Sequence, residues 1–397
     1  MNVSVAYPRT RRGRRPGRSE RPRFCVLGAG HGGVAMTGHL SILDYEVNLW
    51  NRSRSGIDPI LEQGGIDVDG AVQGRGIPSL VTCEIGEALA GVDVIMVVIP
   101  ANGHLEVARL MAPHLQPGQL VVLNPGRTGG ALEVTEVFRE AGVPREVTVA
   151  EAQTFLYIAR HTEPARARIF EIKNRVPLAA LPASRIPDVL EPLLPAFPQF
   201  VPGANVLETS YGNMGMVFHP AVTILNSAWI ESRHDFGYYL EGISPSVSRV
   251  LEALDHERRS VANAVGVRTI SARDWLALVY NSGGRSLYEA VQTTAGYADL
   301  FAPSTMLHRY LLEDVPMSLV PTSETGRQYG VATPTIDTII HLASVMLGCD
   351  FRSQGRTLAR MGISGMSVKE LRRAVGGKGR GYVRGPRGLR PVVGAQG

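Results

Sequence analysis

A glycine-rich turn between two apolar segments near the start of the chain constrains its fold more than any other feature. Phe24–Leu27 is a short apolar run that predicts a strand, and the sequence GAGHGG follows it at 28–33. Val34–Leu43 is rich in apolar residues and predicts a helix, and Glu46–Trp50 predicts a second strand. Strand, glycine turn, helix and strand together make a βαβ unit, the frame in which dinucleotides bind.

Three glycines of this turn match the spacing of the dinucleotide-binding fingerprint, G-x-G-x-x-G. Gly28 permits the tight turn, Gly30 lets the backbone approach a pyrophosphate, and Gly33 lets the helix pack close to the strand. The start of the helix, beside His31, offers free N–H groups and a positive dipole to the phosphates. These four residues form the predicted cofactor turn. Pro100, which closes the longest apolar segment of the chain, is added to the cofactor-binding set.

The rest of the chain divides into an alternating part and a helical part. Further strands are predicted at Val92–Ile99, Leu120–Leu123, Val147–Ala150, Arg166–Lys173 and Val176–Leu181. Helices are predicted at Gly86–Ala90, His104–Leu115, Gly130–Ala141, Ile186–Leu194, Pro220–Ser232, Pro245–Val265, Ala272–Tyr280, Ser304–Glu313 and Thr335–Leu347. Alternation implies a parallel sheet covered by helices on both faces. We therefore predict an α/β N-terminal Rossmann-like doubly wound domain and an all-α C-terminal domain.

The positive charge of the chain lies at its two ends. The net charge is +5, yet residues 1–23 hold eight arginines and one acid, and residues 372–397 hold seven basic residues and no acid. Both segments are rich in Pro, Gly and Arg and poor in apolar residues, so we predict that they are disordered. The acidic body then divides into an NAD(P)-binding domain at 24–205 and a helical substrate domain at 206–371.

Composition argues against three classes of protein. The longest apolar run falls well short of the roughly 20 residues that a membrane helix needs, so we predict no membrane partner. The three cysteines, Cys25, Cys83 and Cys349, lie far apart, which fits a reducing cytoplasm better than a disulfide scaffold. Histidines and cysteines show no metal-ligand spacing, so we predict no metal.

The end of the second strand bears on the choice of cofactor. NAD-binding folds usually place an acid there to bind the ribose 2′-hydroxyl. This chain has Asn51, Arg52, Ser53 and Arg54, with no acid before Asp58. The two arginines suit a 2′-phosphate, with the serine donating a hydrogen bond. We therefore predict NADPH in preference to NADH; the alternative is that both arginines are exposed loop charges.

Short motifs that follow the glycine turn carry a family resemblance over residues 24–371. They are LNPGRT at Leu123–Thr128, EAQT at Glu151–Thr154, Asn213 followed by His219–Pro220, EGISPS at Glu241–Ser246, RYLLEDVP at Arg309–Pro316, VATPT at Val331–Thr335 and GRTL at Gly355–Leu358. Together they resemble the NAD(P)-dependent opine (octopine/nopaline) dehydrogenases. The resemblance implies reductive condensation of an amino acid, or another amine, with an α-keto acid through an imine. It also implies a homodimer through the helical domain.

The resemblance places the family's catalytic histidine at His219 and its carboxylate partner at Asp314. His219 directly precedes Pro220, a favourable first helical residue, so we predict that a helix begins there. A helix N-terminus lowers the pKa of a histidine, and a carboxylate is needed to keep it protonated. Glu313 and Asp314 end another predicted helix, where negative charge is unfavourable. Pairing His219 with Asp314 would relieve both conflicts.

Three further residues complete the predicted substrate site. Arg309 matches the family's carboxylate-binding arginine, and a guanidinium binds a carboxylate through two hydrogen bonds. Asn213 matches the first of two asparagines common in the family, but the second position holds Gly215. Gln153, within the EAQT motif, is added to the substrate set. The missing asparagine leaves the identity of the amine and of the keto acid open.

Two alternatives to this function stay open. The same fold would serve a plain ketone or preformed-imine reductase of secondary metabolism. More distant is a non-catalytic protein that binds nucleotides, or nucleic acid through its arginine-rich ends; for an enzyme we expect no nucleic-acid partner. A lysine acid/base, as in ketopantoate reductases, is not expected. Lys173 lies in a first-domain strand, and the other two lysines lie near the C-terminus.

Overall fold

The glycine turn opens a βαβ unit, as the sequence predicts. The computed structural model describes residues 21–376, 382–385 and 388–391. Its strands are β1 (Phe24–Leu27), β2 (Val47–Trp50), β3 (Ile66–Gly70), β4 (Gly74–Gly76), β5 (Leu80–Thr82), β6 (Val94–Val97), β7 (Leu120–Leu123), β8 (Thr148–Ala152), β9 (Tyr157–Glu163), β10 (Arg166–Ile172), β11 (Val176–Leu181), β12 (Phe200–Pro202), β13 (Tyr382–Gly385) and β14 (Gly388–Pro391).

The helices follow the predicted division of the chain, with six before residue 205 and the others after it within the described ranges. They are α1 (His31–Ile42), α2 (Asp58–Gln63), α3 (Ile85–Leu89), α4 (His104–Met111), α5 (Gly130–Glu140), α6 (Ile186–Leu193), α7 (Val206–Tyr211), α8 (Gly215–Leu225), α9 (Ser227–Glu231), α10 (Pro245–Ala264), α11 (Ala272–Tyr280), α12 (Leu287–Gln292), α13 (Arg309–Leu312), α14 (Val320–Gln328), α15 (Pro334–Leu347), α16 (Phe351–Gln354) and α17 (Val368–Gly376).

The main sheet has eight strands in the order β12-β11-β8-β7-β6-β1-β2-β5. Neighbouring strands from β8 to β5 run parallel, whereas β11 runs antiparallel to β8. Alternate residues of β1 enter two different cores: Phe24 and Val26 pack with α1 and α6, and Cys25 and Leu27 pack with α3, α4 and α5. Both faces of the sheet are therefore covered, and the predicted doubly wound domain is confirmed.

A second sheet, which the sequence did not predict, lies beside α1. Its order is β4-β3-β10-β9, with β9 and β10 antiparallel. Ala167 and Ile169 of β10 share a core with α1, and Gly38 of that helix lies so close that a Cβ there would be 2.5 Å from Val68. The predicted strands at 166–173 and 176–181 therefore enter different sheets. As a result, the β9–β10 hairpin lies near the glycine turn.

The C-terminal half is helical, as predicted. A third apolar core is drawn entirely from residues 214–351, and helices α8 to α16 supply most of it. Among the described residues between α7 and α17, extended pairing is limited to a single bridge between Gly237 and Phe301. This half therefore has a core of its own, next to the one it shares with the main sheet.

The helix boundaries around the two predicted catalytic residues differ from the prediction. Helix α8 begins at Gly215, so His219 lies inside it and Pro220 is an interior proline. Asp314 does not end a helix, because a π-helical turn, Val315–Leu319, continues from α13 into α14. The first prediction relied on the preference of proline for the first turn of a helix, whereas Pro220 lies in a helix interior.

The two predicted end segments lie only partly within the described residues. The predicted tail 1–23 lies largely outside the described residues, but Arg21 and Arg23 bond to the body, through Leu43 and Asp93 respectively. Helix α17 continues to Gly376, beyond the predicted limit of 371, because Val375 is buried one turn after Leu371. Within 372–397, β13 and β14 form an antiparallel pair, and the other residues after Gly376 lie outside the described ranges.

Candidate active site

The glycine turn has the geometry that a dinucleotide requires. Gly28 has φ +111°, a conformation that L side chains rarely adopt, and a Cβ at Gly33 would lie 1.7 Å from the carbonyl oxygen of Gly28. No atom lies within 4 Å of where a Cβ of Gly30 would be, which leaves room for a phosphate. No side chain caps the N-terminus of α1, so its N–H groups are available to an anion.

The predicted cofactor residues after β2 lie at the surface. Asn51 accepts a hydrogen bond from the backbone N–H of Ala29 at 3.0 Å, which ties this loop to the glycine turn, and its Nδ2 donates to the carbonyl of Ser53. Arg52 pairs with Glu106 at 2.8 Å and is 72% exposed; Arg54 pairs with Asp58 at 2.9 Å and is 70% exposed. Both arginines are thus accessible to a ligand, and each already has an acidic partner.

His219 and Asp314 meet, as the sequence predicts. Nδ1 of His219 lies 2.8 Å from Oδ2 of Asp314, which is fully buried, and the imidazole stacks on Tyr310 with ring centres 4.1 Å apart. An ionised carboxylate only accepts hydrogen bonds, so Nδ1 is the protonated nitrogen in this pair and Nε2 is left for a ligand. Burial lowers the pKa of His219; Asp314 opposes that effect, and Arg127 and Arg309 add to it.

The helix around His219 is supported at one backbone carbonyl. The carbonyl oxygen of His219 accepts hydrogen bonds from Oγ1 of Thr223 at 2.8 Å and from the hydroxyl of Tyr238 at 2.7 Å. The same two side chains also bond to each other. His219 therefore lies in the interior of α8, and burial, not a helix N-terminus, is the main cause of its lowered pKa.

Arg127 is the most important residue that sequence reasoning missed. Its guanidinium hydrogen-bonds both oxygens of Glu313, at 3.1 and 3.2 Å, and Nη1 lies 2.9 Å from Oδ1 of Asp314. Burial opposes its charge, but Asp314 and Glu313 raise the pKa of Arg127. The available signal was its place in the LNPGRT motif directly after β7, at the edge of a parallel sheet where ligands bind.

Glu313 joins the helical half to the first domain. Its Oε1 accepts a hydrogen bond from the backbone N–H of Ala101 at 3.1 Å, next to the predicted cofactor residue Pro100. Arg309 lies one turn before it, with Nε 3.2 Å from Oε2 of Glu313 and a side chain that is 54% exposed. Burial would raise the pKa of Glu313, but Arg127 and Arg309 hold it well below its usual range. Glu313 is therefore a fixed anion between the two arginines.

The two predicted substrate amides are engaged within the protein. Asn213 is buried; its Oδ1 accepts from Arg127 at 3.2 Å, and its Nδ2 donates to the hydroxyl of Ser318 at 3.1 Å. Gln153 donates from Nε2 to the carbonyl of Gly212 at 2.9 Å. Both side chains lie at the junction of the two domains, where they position its backbone and the guanidinium of Arg127.

Gly215, at the position of the family's second asparagine, lies against the same guanidinium. A Cβ there would be 2.6 Å from Nη1 of Arg127, 3.1 Å from Oδ1 of Asn213 and 3.2 Å from Oδ1 of Asp314. The backbone N–H of Gly215 donates to Oδ1 of Asn213 at 3.0 Å. An asparagine cannot stand at 215 while the arginine is in this place, so the departure from the family pattern has a local steric reason.

A second buried ion pair supports the loop that carries Arg127. Arg356 is fully buried; it bonds Glu133 at 2.9 Å and the carbonyl of Thr128 at 2.7 Å. Arg360 also pairs with Glu133. Arg356, in the GRTL motif, therefore stabilises the loop after β7 that carries Arg127.

Two kinds of site, for metal ions and for membrane spanning, are absent from the described residues. Across residues 21–376 no three side chains of His, Cys, Asp or Glu are grouped to hold a metal ion. None of the helices in the part of the chain that the structure describes has the length and apolar character needed to span a bilayer.

Family models match both halves of the chain. The model for the alpha-helical domain of NAD/NADP octopine/nopaline dehydrogenase matches residues 202–347. The model for the NAD binding domain of 6-phosphogluconate dehydrogenase matches residues 23–127. The glycine turn lies in the second match, and His219 and Asp314 lie in the first.

Comparison with known proteins gives relatives over almost the whole chain. An opine dehydrogenase of Arthrobacter sp. (strain 1C) is 39% identical over 357 residues, covering 90% of this chain and 99% of the relative. The octopine dehydrogenase of Pecten maximus is 23% identical, covering 84% of this chain and 92% of its own. A solved octopine dehydrogenase in complex with NADH and agmatine has the same fold, with a TM-score of 0.76, 21% identity and coverage of 90% and 98% of the two chains. The chain therefore belongs to the octopine/nopaline dehydrogenase family and is an NAD(P)-dependent oxidoreductase acting on CH–NH bonds.

Proposed function

We propose that this enzyme uses NADPH to condense an amino acid with an α-keto acid through an imine, with His219 and Asp314 as its acid/base pair. The observation that carries the proposal is the buried 2.8 Å contact between these two side chains. Arg127 and Glu313 link that contact to the loop after β6, beside Pro100. The pair is therefore held at the edge of the sheet where a dinucleotide would place its reactive ring.

Proton transfer in this proposal runs through Nε2 of His219. The bound dinucleotide supplies the hydride. In the condensing direction Nε2 gives a proton to the oxygen that leaves as water, and in the reverse direction it accepts one. Asp314 holds the ring through Nδ1 and stabilises the charged imidazole, and positioned acid/base catalysis of this kind contributes about 10²–10⁴-fold. Burial lowers the pKa of His219, and Asp314 opposes that effect, so the carboxylate favours the charged ring that proton donation requires.

Substrate recognition in this proposal begins with Arg309. The guanidinium is half exposed, and its neighbour Tyr310 stacks on His219. In an α-keto acid the carboxylate and the carbonyl are directly bonded, so a group that holds the first must lie next to one that protonates the second. Arg309 suits this requirement, because its charge lies close enough to His219 to lower the pKa of that ring. Asn213 and Gln153 act as positioning residues, since their hydrogen bonds are made within the protein.

The preference for NADPH is supported by Arg52 and Arg54. Their present partners are surface acids, and exposed pairs of this kind contribute about 0–1 kcal/mol, so a 2′-phosphate can replace them at little cost. Asn51 keeps the loop attached to the glycine turn while this occurs. One relative of the same fold, a yersinopine dehydrogenase at TM-score 0.70 and 17% identity, was solved with NADP⁺ bound.

Two further properties, the location and the oligomeric state, belong to the proposal. A cytoplasmic location fits the three cysteines, which are all unpaired. A homodimer through the helical domain is implied by the family resemblance, and the sedimentation of the full chain would test it.

An oxidation screen tests the proposed reaction. Loss of NADPH is followed while keto acids are crossed with amino acids, and each keto acid and each cyclic imine is also tested alone. We expect oxidation to require both a keto acid and an amine, with a secondary amine as the product. A ketone or cyclic imine that is reduced alone at an equal rate would favour the plain-reductase alternative.

A further inference from the structure

The ring of Tyr310 covers one face of the His219 imidazole, and the proposed reaction gives it no role. The two rings are nearly parallel, with centres 4.1 Å apart and planes inclined by 19°. Tyr310 and Asp314 are four residues apart on the helical segment that begins with α13, so their side chains lie on the same face of it. As a result, the phenol contacts a face of the imidazole, and the carboxylate bonds its edge at Nδ1.

Aromatic neighbours hold both members of this stack. His308 lies edge-on to the ring of Tyr310, with centres 4.4 Å apart, and the ring of Tyr238 lies 5.0 Å away. The backbone N–H of Tyr310 donates to Nδ1 of His308 at 3.4 Å. The hydroxyl of Tyr238 donates to the carbonyl of His219 at 2.7 Å. Each member of the stack is therefore tied through its backbone to an aromatic neighbour of Tyr310.

A parallel phenol ring favours the charged form of the imidazole. The π face of a tyrosine carries partial negative charge, and it attracts a cation that lies within about 6 Å of the ring centre. Burial lowers the pKa of His219, and Asp314 opposes that effect. Arg127 and Arg309 also act on this ring and lower its pKa further. Burial lowers the pKa of His308 to about 4, so this neighbour adds no positive charge at pH 7.

We propose that Tyr310 is a positioning residue for the acid/base step: its ring fixes the orientation of the His219 imidazole and stabilises the charged form that gives a proton to the departing oxygen. This inference rests on the proposed function and adds a second group that acts on the histidine. Rotation of the imidazole about its bond to Cβ would break the parallel stack as well as the bond to Asp314. The two contacts therefore select the same orientation, with Nε2 left for a substrate.

The hydroxyl and the ring of Tyr310 predict different results. Burial raises the pKa of Tyr310, so its hydroxyl is not an anion that could pair with a charged imidazole. If the hydroxyl itself donates a proton, Tyr310→Phe lowers turnover as much as Tyr310→Leu. If the ring is what matters, Tyr310→Phe keeps the stack and turns over at close to the wild-type rate.

Histidine NMR tests the proposal without turnover. The ring C–H signal of His219 is identified by its loss in His219→Gln, and its pKa is measured in full-length proteins that carry carbon-13-labelled histidine. In Tyr310→Leu the pKa of His219 should fall by about 0.5–1.5 units, the value of a cation–π contact. Tyr310→Phe should stay close to the wild type. Replacement of Tyr310 by 3,4,5-trifluorophenylalanine keeps the shape of the ring but weakens its negative face, so it should lower that pKa by part of the same amount.

The pH profile of turnover is the second measurement, made with NADP⁺ and the N-(1-carboxyethyl) derivatives of L-leucine and L-arginine. In this oxidising direction Nε2 must be neutral to accept a proton, so kcat/KM rises as the pH rises through the pKa of His219. In Tyr310→Leu this acid limb should lie about 0.5–1.5 pH units lower. Its plateau should fall about 10-fold or more, because a misplaced imidazole loses part of the 10²–10⁴-fold that positioned acid/base catalysis supplies.

Tyr297→Leu is the matched control. Tyr297 stacks on Tyr239 with ring centres 4.1 Å apart and planes inclined by 16°, within the apolar core against which Tyr310 packs. Loss of either stack removes aromatic packing from the helical half, so both variants should lower the melting temperature. Only Tyr310→Leu should move the acid limb and the pKa of His219.

The outcomes separate this inference from the proposed function. A pKa of His219 that stays the same or rises in Tyr310→Leu contradicts the role of Tyr310. An equal loss of turnover in Tyr310→Phe and Tyr310→Leu contradicts it as well, because the hydroxyl would then be the group required. A wild type that oxidises neither derivative and condenses no pair of keto acid and amine contradicts the proposed function, whereas the NMR titration tests the effect of Tyr310 on the imidazole by itself.

Discussion

The two ends of the cleft are built in opposite ways. At the end proposed to bind the nucleotide, Arg52 and Arg54 lie on the surface and pair with acids that are themselves partly exposed. At the proposed catalytic end, Arg127 and Asp314 are buried, with 6% and 0% of their side chains exposed. Both ends present arginines paired with acids, so the comparison isolates the effect of burial.

Burial decides which of these pairs is fixed before a ligand arrives. An exposed ion pair is screened by water and contributes little, so a ligand can replace either partner. A buried pair cannot lose one partner without leaving an uncompensated charge, so its geometry persists. The nucleotide end is therefore adaptable, whereas the catalytic end is preorganised, which is what acid/base chemistry requires.

The largest expected effect concerns the catalytic pair. Each of His219→Ala and Asp314→Ala should lower kcat about 10²-fold or more, because each removes one part of the same acid/base device. Residues that act as a unit are not additive, so the double variant should be little worse than His219→Ala. Steady-state kinetics of the four proteins measures this. NADPH affinity is the control and should be unchanged, since neither residue lies in the first domain.

Two results would contradict the proposal that His219 and Asp314 act as one unit. If the losses of the single variants multiply in the double variant, the two residues act independently. If Asp314→Ala is neutral, the carboxylate does not orient the histidine, and Glu313 is the next candidate because it shares Arg127.

The next largest expected effect is on the free energy of unfolding, and it compares the two ends of the cleft directly. Arg127→Met leaves Glu313 and Asp314 buried without their main cation, and breaking such a pair costs about 3–5 kcal/mol of unfolding free energy. Arg52→Met breaks only the exposed pair with Glu106 and should cost about 0–1 kcal/mol. Denaturant unfolding of both variants measures the difference. Equal losses would show that burial does not distinguish the two ends.

The smallest expected effect concerns the choice of cofactor. Arg52→Ala should reduce the preference for NADPH over NADH about 10- to 100-fold, the value of a charge-assisted hydrogen bond to the 2′-phosphate. Titration of both dinucleotides into the wild type and the variant measures it. NADH affinity should not change, because NADH lacks the phosphate. Equal binding of the two cofactors by the wild type would overturn the predicted preference.

The sequence and the structure agree best where the pattern is local. The glycine turn depends on its own backbone and on the strand next to it, so Gly28, Gly30 and Gly33 could be assigned from spacing alone. The pairing of His219 with Asp314 was reached through family motifs, since 95 residues separate the two along the chain. The predicted helix start at Pro220 was wrong because a proline was read without the side chains around it.

Other parts of the site depend on contacts that no spacing predicts. Arg127 meets Glu313 from the opposite domain, 186 residues away along the chain. The second sheet was missed in part because the short strands β3 and β4 have few apolar residues and depend on α1 and β10 for burial.

By itself the sequence determined the two fold classes and the dinucleotide turn, because both follow from local backbone preferences and from periodic burial, which neighbouring residues specify. The residues of the predicted catalytic site came from the resemblance of short motifs to a known family. Only the tertiary structure decided which charges are buried together, and thus that Asp314 is held by Arg127 as well as by His219. The physical reason is that the strength of a charge pair depends on how far water is excluded from it, and exclusion is a property of the packed domains.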